Sequence, residues 1–299
     1  MTYITMIQYK AGRTGHILKD YMSLILIGKL MGFTIVPPKY TKTDFKNSVD
    51  KFDIFHQYKN NRVPDGIEKI ILTKIKWTGF SVETILHRLS IYINQNVLII
   101  LEGPYRLHMC EVMKKSSLYP HLSDIFNSVL IDFRNNFQRI NKTIINKEKN
   151  ESFKSNKINV VIHCRRGDRF KNIHQNIDEK KTSFKNYISQ IKNILNTLNK
   201  EYQIIICTEP YNNNDIIEVI NEFYYGEIIV RHNKSLIQDI ALMSIADIFI
   251  SCGSSVSVWA LYLNPHYKIN NKTYHYINYD NKCYDYNAII KNNKLFFYF

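Results

Sequence analysis

Apolar and polar positions along the chain alternate between short hydrophobic runs and longer mixed stretches. Tyr3 to Tyr9 reads as a first strand, and Ile17 to Met31 repeats apolar residues at helical spacing. Phe33 to Val36 is a second strand, stopped by Pro37 and Pro38. Lys39 to Arg62 is irregular and polar. Strand-like runs return at Ile67 to Leu72 and Asn96 to Leu101, followed by helical patterns over Leu107 to Lys115 and His121 to Ile140. The Lys/Asn-rich stretch from Asn141 to Lys157 has almost no core-forming periodicity and reads as an interdomain linker.

The second half opens with Val160, Val161 and Ile162, a β-branched run typical of a buried strand. A helix is predicted from about Ser183 to Asn199, then a strand over Gln203 to Cys207, a helix over Asn214 to Phe223 and a strand over Glu227 to Arg231. Leu236 to Ala246 is helical, Asp247 to Ser251 a strand, and Val256 to Leu263 a buried helix. Strand and helix alternate throughout. The expected fold class is α/β, with two Rossmann-like domains, residues 1–150 and 151–299, facing each other across a cleft.

Polar residues gather where the strands of the second half end: His163, Arg165, Arg166 and Asp168; then Thr208 and Glu209; then Gly253, Ser254 and Ser255. Parallel strands bring all such ends to one edge of a sheet, where ligands of open α/β folds bind. Two adjacent guanidinium forks suit phosphate oxygens. A Gly-Ser-Ser turn entering a helix supplies free N–H groups, hydroxyls and the positive end of the helix dipole. Taken singly, surface ion pairs and an ordinary N-cap explain these residues; together on neighbouring strand ends they fit a diphosphate. Asp239 lies among Ile237, Ile240, Leu242 and Met243, and a buried carboxylate needs a partner. The paired N–H donors of a guanine edge would serve, as would Arg231 or Lys234 in the adjoining loop. In the first half, Gly12-Arg13-Thr14-Gly15-His16 is either a turn needing positive φ or a loop whose amides and Arg13 approach a ligand.

Composition narrows the class of partner. Hydrophobic residues make up 45 % of 299, a globular level. The net charge of +14 suits nucleic acid, a membrane surface or an anionic small substrate. The lysines are scattered among asparagines and form no single stripe, which argues against nucleic acid. Five cysteines show neither Cys-x-x-Cys nor zinc-ligand spacing; Cys110, Cys207 and Cys252 read as small core residues, and reduced thiols point to a cytoplasmic setting. No apolar run reaches the ~18 residues of a membrane span. Lys10, Arg13 and Lys19 interrupt any signal-peptide layout.

These residues resemble a known family. His163-x-Arg165-Arg166-Gly167-Asp168 resembles the signature of α-1,2-fucosyltransferases and, more loosely, of α-1,6- and protein O-fucosyltransferases. Asp239-x-x-Leu242-Met243-Ser244, followed by Ser254-Ser255-x-Ser257-x-Trp259-Ala260, resembles the second signature of that superfamily. The resemblance runs from about residue 7 to 265 and implies a GT-B glycosyltransferase that takes fucose from GDP-fucose to a glycan hydroxyl with inversion. It implies that Arg165 grips the β-phosphate, His163 lies against the nucleotide, Asp239 reads the guanine edge, and Ser254 and Ser255 hold the diphosphate. Gly12, Arg13, Gly15, Arg166, Asp168, Thr208 and Gly253 complete the donor site, the first domain receiving the acceptor and the second the nucleotide sugar. No Asp-x-Asp occurs, which fits a site without metal or cofactor.

The sequence departs from the family pattern at His16-Ile17, Arg169, Thr208-Glu209-Pro210 and Val258-Trp259, which leaves acceptor, linkage and donor sugar open. A non-catalytic GDP- or glycan-binding module, or a transferase using another GDP-sugar, is the alternative. His16, Asp20, Asp168, His174 and Glu209 are candidates for a general base near the attacking hydroxyl. His16 is preferred, because the N-terminal loop should face the cleft, while Asp168 reads rather as orienting an arginine.

Overall fold

Apolar runs without alternation need cover on both sheet faces, and here they form parallel strands. The computed structural model describes residues 1–7, 14–38, 50–72, 82–102, 120–164, 201–208, 214–222, 224, 226–232, 234–250, 255–265, 290–291 and 294–295. The chain divides into two compact units, Met1–Ile140 and Asn141–Phe299.

In the first unit β1 (Tyr3–Ile7), β2 (Thr34–Ile35), β3 (Glu68–Leu72) and β4 (Val97–Glu102) pair in the order β2-β1-β4-β3, all parallel. The two inner strands, β1 and β4, are hydrogen-bonded on both edges. Helix α1 (Thr14–Met31) is buried without a break from Tyr21 to Gly28, as a helix apolar on all sides must be. It presses so closely on the sheet that a Cβ at Gly28 would stand 2.3 Å from Ile35 Cγ1 and 3.4 Å from Ile4 Cγ2.

Helix α2 (Val82–Ser90) went unseen in the apolar pattern, because Ile85 and Leu89 are its only residues with described side chains that are buried. The segment from 50 to 62 was expected to be irregular and polar. It does lack long elements, yet Phe52 is fully buried against Phe133 and Phe137, with ring centroids at 5.9 and 5.2 Å, and Phe55 meets Tyr21 edge-on at 5.0 Å. Asp53, at φ 45°, bonds His56 at 2.8 Å and pairs with Arg139.

Helix α3 spans Pro120–Ser152, and residues 141 to 152 are therefore helical rather than the expected linker. Its first part buries Phe126, Val129, Leu130, Phe133 and Phe137 at helical spacing. Asn141, at φ −104° and ψ 16°, interrupts it where the two units divide. Beyond that point the buried positions are Asn141, Glu148 and Ser152. They keep the helical period but are polar, so a hydrophobic pattern does not reveal them.

The second unit pairs β5 (Ile158–Cys164), β6 (Tyr202–Thr208), β7 (Ile228–Arg231) and β8 (Ile248–Ile250) in the order β7-β6-β5-β8, all parallel. This is one half of a dinucleotide-type sheet, with its switch point between β5 and β8. Val160, Val161, Ile162, Ile204, Ile205 and Ile206 are fully buried. Helices α4 (Asn214–Asn221), α5 (Leu236–Ser244) and α6 (Ser255–Leu263) alternate with the strands, and β9 (Ile290–Lys291) and β10 (Lys294–Leu295) form a small antiparallel pair.

Gly28→Ala tests the helix–sheet approach. The added methyl cannot fit beside Ile35 without displacement, and overpacking of this kind costs about 1–3 kcal/mol. Chemical denaturation should show a loss in that range; an unchanged midpoint would mean the gap between α1 and the sheet is wider than described.

Candidate functional site

Strand pairing puts His163 of β5 opposite Cys207 of β6, and Cys207 opposite Arg231 of β7. Paired residues share a face, so these three form one row across the carboxyl end of the sheet. A helical layer covers that row. His163 Nδ1 hydrogen-bonds the hydroxyl of Ser257, in the first turn of α6, and Ser257 is fully buried. This bond spans the switch point: it ties the end of β5 to the start of the helix that follows β8.

At the other end of the row Arg231 forms a buried ion pair. One guanidinium nitrogen pairs with Glu148 of α3, and Nη1 donates to Ser152 Oγ at 2.6 Å. Glu148 is fully buried, and its second oxygen accepts from Gln238 Nε2 at 2.9 Å. Gln238 also closes a capping box on Ser235 at the start of α5. Below these groups Gln203 Nε2 donates to the Ser152 carbonyl at 2.8 Å and to Asn159 Oδ1 at 2.6 Å.

Between the two ends Cys207 is fully buried. Burial pushes its thiol well up from the ordinary range, the Asp239 carboxylate adds to the rise, and the Arg231 guanidinium opposes it. Asp239 therefore stands close enough to the row to act on it electrostatically. The Glu148–Arg231 pair and the Cys207 thiol share one buried layer at the carboxyl end of the sheet.

Of the residues singled out in the sequence, His163 lies in this row, and Asp239 is near enough to Cys207 for its charge to bear on the thiol. Thr208 is buried at the end of β6 but pairs with Cys164, so its side chain points to the other face of the sheet and does not join the row. Ser255 begins α6; Gly15 is buried in the first turn of α1, which also carries His16. Gly12, Arg13, Arg165, Arg166, Asp168, Gly253 and Ser254 lie outside the described residues, as do His174 and Glu209 among the candidate bases. Arg231 was weighed as the partner of Asp239; its ion pair is instead with Glu148, a residue the linker reading had passed over. Cys207 is the core residue it was expected to be, and Cys164 joins it as a second buried free thiol. Among the described residues no His/Cys/Asp/Glu group has the makings of a metal site, and no helix is long and apolar enough to cross a membrane.

No family model matches the chain, and no curated protein matches its sequence. Solved structures do. A variant of Arabidopsis thaliana FUT1 in complex with GDP superposes with a TM-score of 0.50 at 12% identity, over 88% of this chain and 68% of that one. POFUT1 in complex with GDP-fucose gives 0.46 at 14% identity, over 88% and 94%. The glycosyl transferase family 9 protein of Veillonella parvula gives 0.36 at 10% identity, over 87% and 78%. The FUT1 likeness, together with the two parallel sheets, defines the fold class: a GT-B architecture of two Rossmann-like units.

The raised Cys207 pKa fixes a pH dependence. Unfolding frees the thiol to ionise near its ordinary value of about 8.5, whereas the folded protein holds it protonated. The unfolded state then binds fewer protons, and stability falls as pH rises above that value. Denaturation at pH 8 and 10 should show a larger alkaline loss for the native sequence than for Cys207→Val. Equal losses would assign the alkaline limb to other groups.

Proposed function

We propose that the second unit binds the diphosphate of a GDP-sugar beyond the ends of β5 and β8, and that the chain transfers fucose from GDP-fucose to a glycan hydroxyl, with inversion and without a metal ion. The observation that carries this reading is the His163–Ser257 hydrogen bond. It joins the end of one strand to the first turn of a helix across the switch point, the place where open α/β sheets bind nucleotides. Arg165 follows His163 by two residues in the chain, and Gly253 and Ser254 precede α6. When Ser257 donates to Nδ1, the other ring nitrogen carries the proton.

Glycosyl transfer builds oxocarbenium character on the sugar while negative charge collects on the departing GDP. A fixed guanidinium at Arg165 and the N–H groups of a helix start would stabilise that charge by several kcal/mol. In this reading Arg166 adds a second fork, Asp168 orients the arginines, and Asp239 accepts the two N–H donors of guanine. Gly12, Arg13 and Gly15 belong to the donor-binding set in this reading, and His16 takes the proton of the acceptor hydroxyl. A net charge of +14 favours an anionic donor at long range. The FUT1 structure was solved with GDP, and the shared fold makes that ligand the natural first choice here.

GDP release from GDP-fucose, with galactose-terminated oligosaccharides as acceptors, tests the reaction. Turnover is expected for the native chain, and Arg165→Ala should abolish it and weaken GDP binding sharply while the fold persists; kinetics like the native chain's would remove Arg165 from the site. GDP binding with no acceptor-dependent release would identify a binding module. Asp239→Asn should lower the preference for guanine over other bases by about tenfold, the scale of one charge-assisted hydrogen bond. Unchanged selectivity in nucleotide competition would count against that role.

A further inference from the structure

Glu148 joins three elements through one carboxylate. Arg231, at the end of β7, pairs with one oxygen, and Gln238, in the first turn of α5, donates to the other at 2.9 Å. Gln238 is itself held at both ends of its amide: its oxygen accepts from the Ser235 backbone N–H at 3.0 Å while its nitrogen bonds Glu148. Asp239 is the next residue, and its backbone N–H bonds the Ser235 carbonyl at 3.1 Å. Rotation of this first helical turn about its axis would break the Gln238–Glu148 bond and swing Asp239 in the same movement. Glu148 cannot give way in turn, because Arg231 anchors it and Ser152 anchors Arg231.

We infer that Glu148 is a positioning residue for base selection: through Gln238 it fixes the rotation of the first turn of α5, and with it the direction of the carboxylate that reads the nucleotide base. This rests on the GDP-sugar reading above. It differs from a purely structural role in what it perturbs. A general loosening of the second unit weakens every nucleotide alike, whereas misdirection of Asp239 weakens only the recognition of the guanine N–H edge.

Inosine diphosphate isolates that edge, since it keeps the diphosphate and ribose of GDP but lacks the 2-amino group. Calorimetric titration of the full chain with GDP, inosine diphosphate and pyrophosphate is the measurement. The native chain is expected to prefer GDP over inosine diphosphate by about tenfold. Glu148→Gln should largely erase that preference while pyrophosphate affinity holds. Should Glu148→Gln fail to fold, with Arg231 left buried beside a neutral partner, Gln238→Met decides, because it leaves the ion pair intact. Ser235→Ala removes the cap hydroxyl but keeps the Glu148 bond, and should retain the preference. A GDP preference unchanged in Gln238→Met, or lost equally in Ser235→Ala, overturns the inference. A native chain that binds both diphosphates equally removes the role of Asp239, and one that binds neither removes the GDP-sugar reading itself.

Discussion

Two opposite charges taken out of water, on Glu148 and Arg231, constrain how the elements of the second unit can pack together. The effective desolvation cost is several kcal/mol for each ion, and attraction offsets it only where the remaining polar atoms find partners. Ser152 takes one guanidinium N–H and Gln238 serves the second carboxylate oxygen, while Arg231 Nε is buried without a partner among the described residues. Apolar residues of the same volume could hold the layer at least as firmly. What the pair adds is selectivity among packings: the tail of α3, the end of β7 and the first turn of α5 fit together in one register, since a shift of any one strands a buried charge at a cost of about 3–5 kcal/mol.

That constraint also explains why the sequence conceals this part of the fold. The strands were legible because parallel sheets covered on both faces are written as unbroken apolar runs, as in Val160 to Ile162 and Ile204 to Ile206. The first part of α3 was legible for the same reason, through its phenylalanines. Its tail was not, since the stripe that meets the core reads Asn141, Glu148, Ser152. A period carried by polar residues is invisible to any reading that tracks hydrophobicity alone. Helix α2 escaped for a simpler reason, a stripe only two residues deep among its described side chains.

The candidate site divides along similar lines. His163 and Asp239 stood out because a polar residue beside an apolar run is conspicuous locally. That His163, Cys207 and Arg231 stand in one row depends on strand register, which no local pattern reports. Thr208 shows the same limit: one step along β6 from Cys207 carries a side chain to the opposite face. The partner of Arg231 lies 83 residues away in the chain, whereas Asp239, beside which the sequence offers Arg231 as a partner, is close by in the chain.

Charge along the row gives the proposed ligand a direction. At the β7 end the Glu148 carboxylate and the Arg231 guanidinium are buried and neutralise one another, and Cys207 is buried between that pair and His163. Were the Cys207 thiol to ionise, an unpaired charge would join that layer, and burial raises its pKa against this. A closed ion pair of this kind offers a phosphate little net attraction. At the β5 end the row offers an imidazole and the start of a helix, which favour an anion. Of the two ends of the row, the β5 end is therefore the one whose charge suits the diphosphate proposed above, before any contact specific to guanine or to the sugar is made.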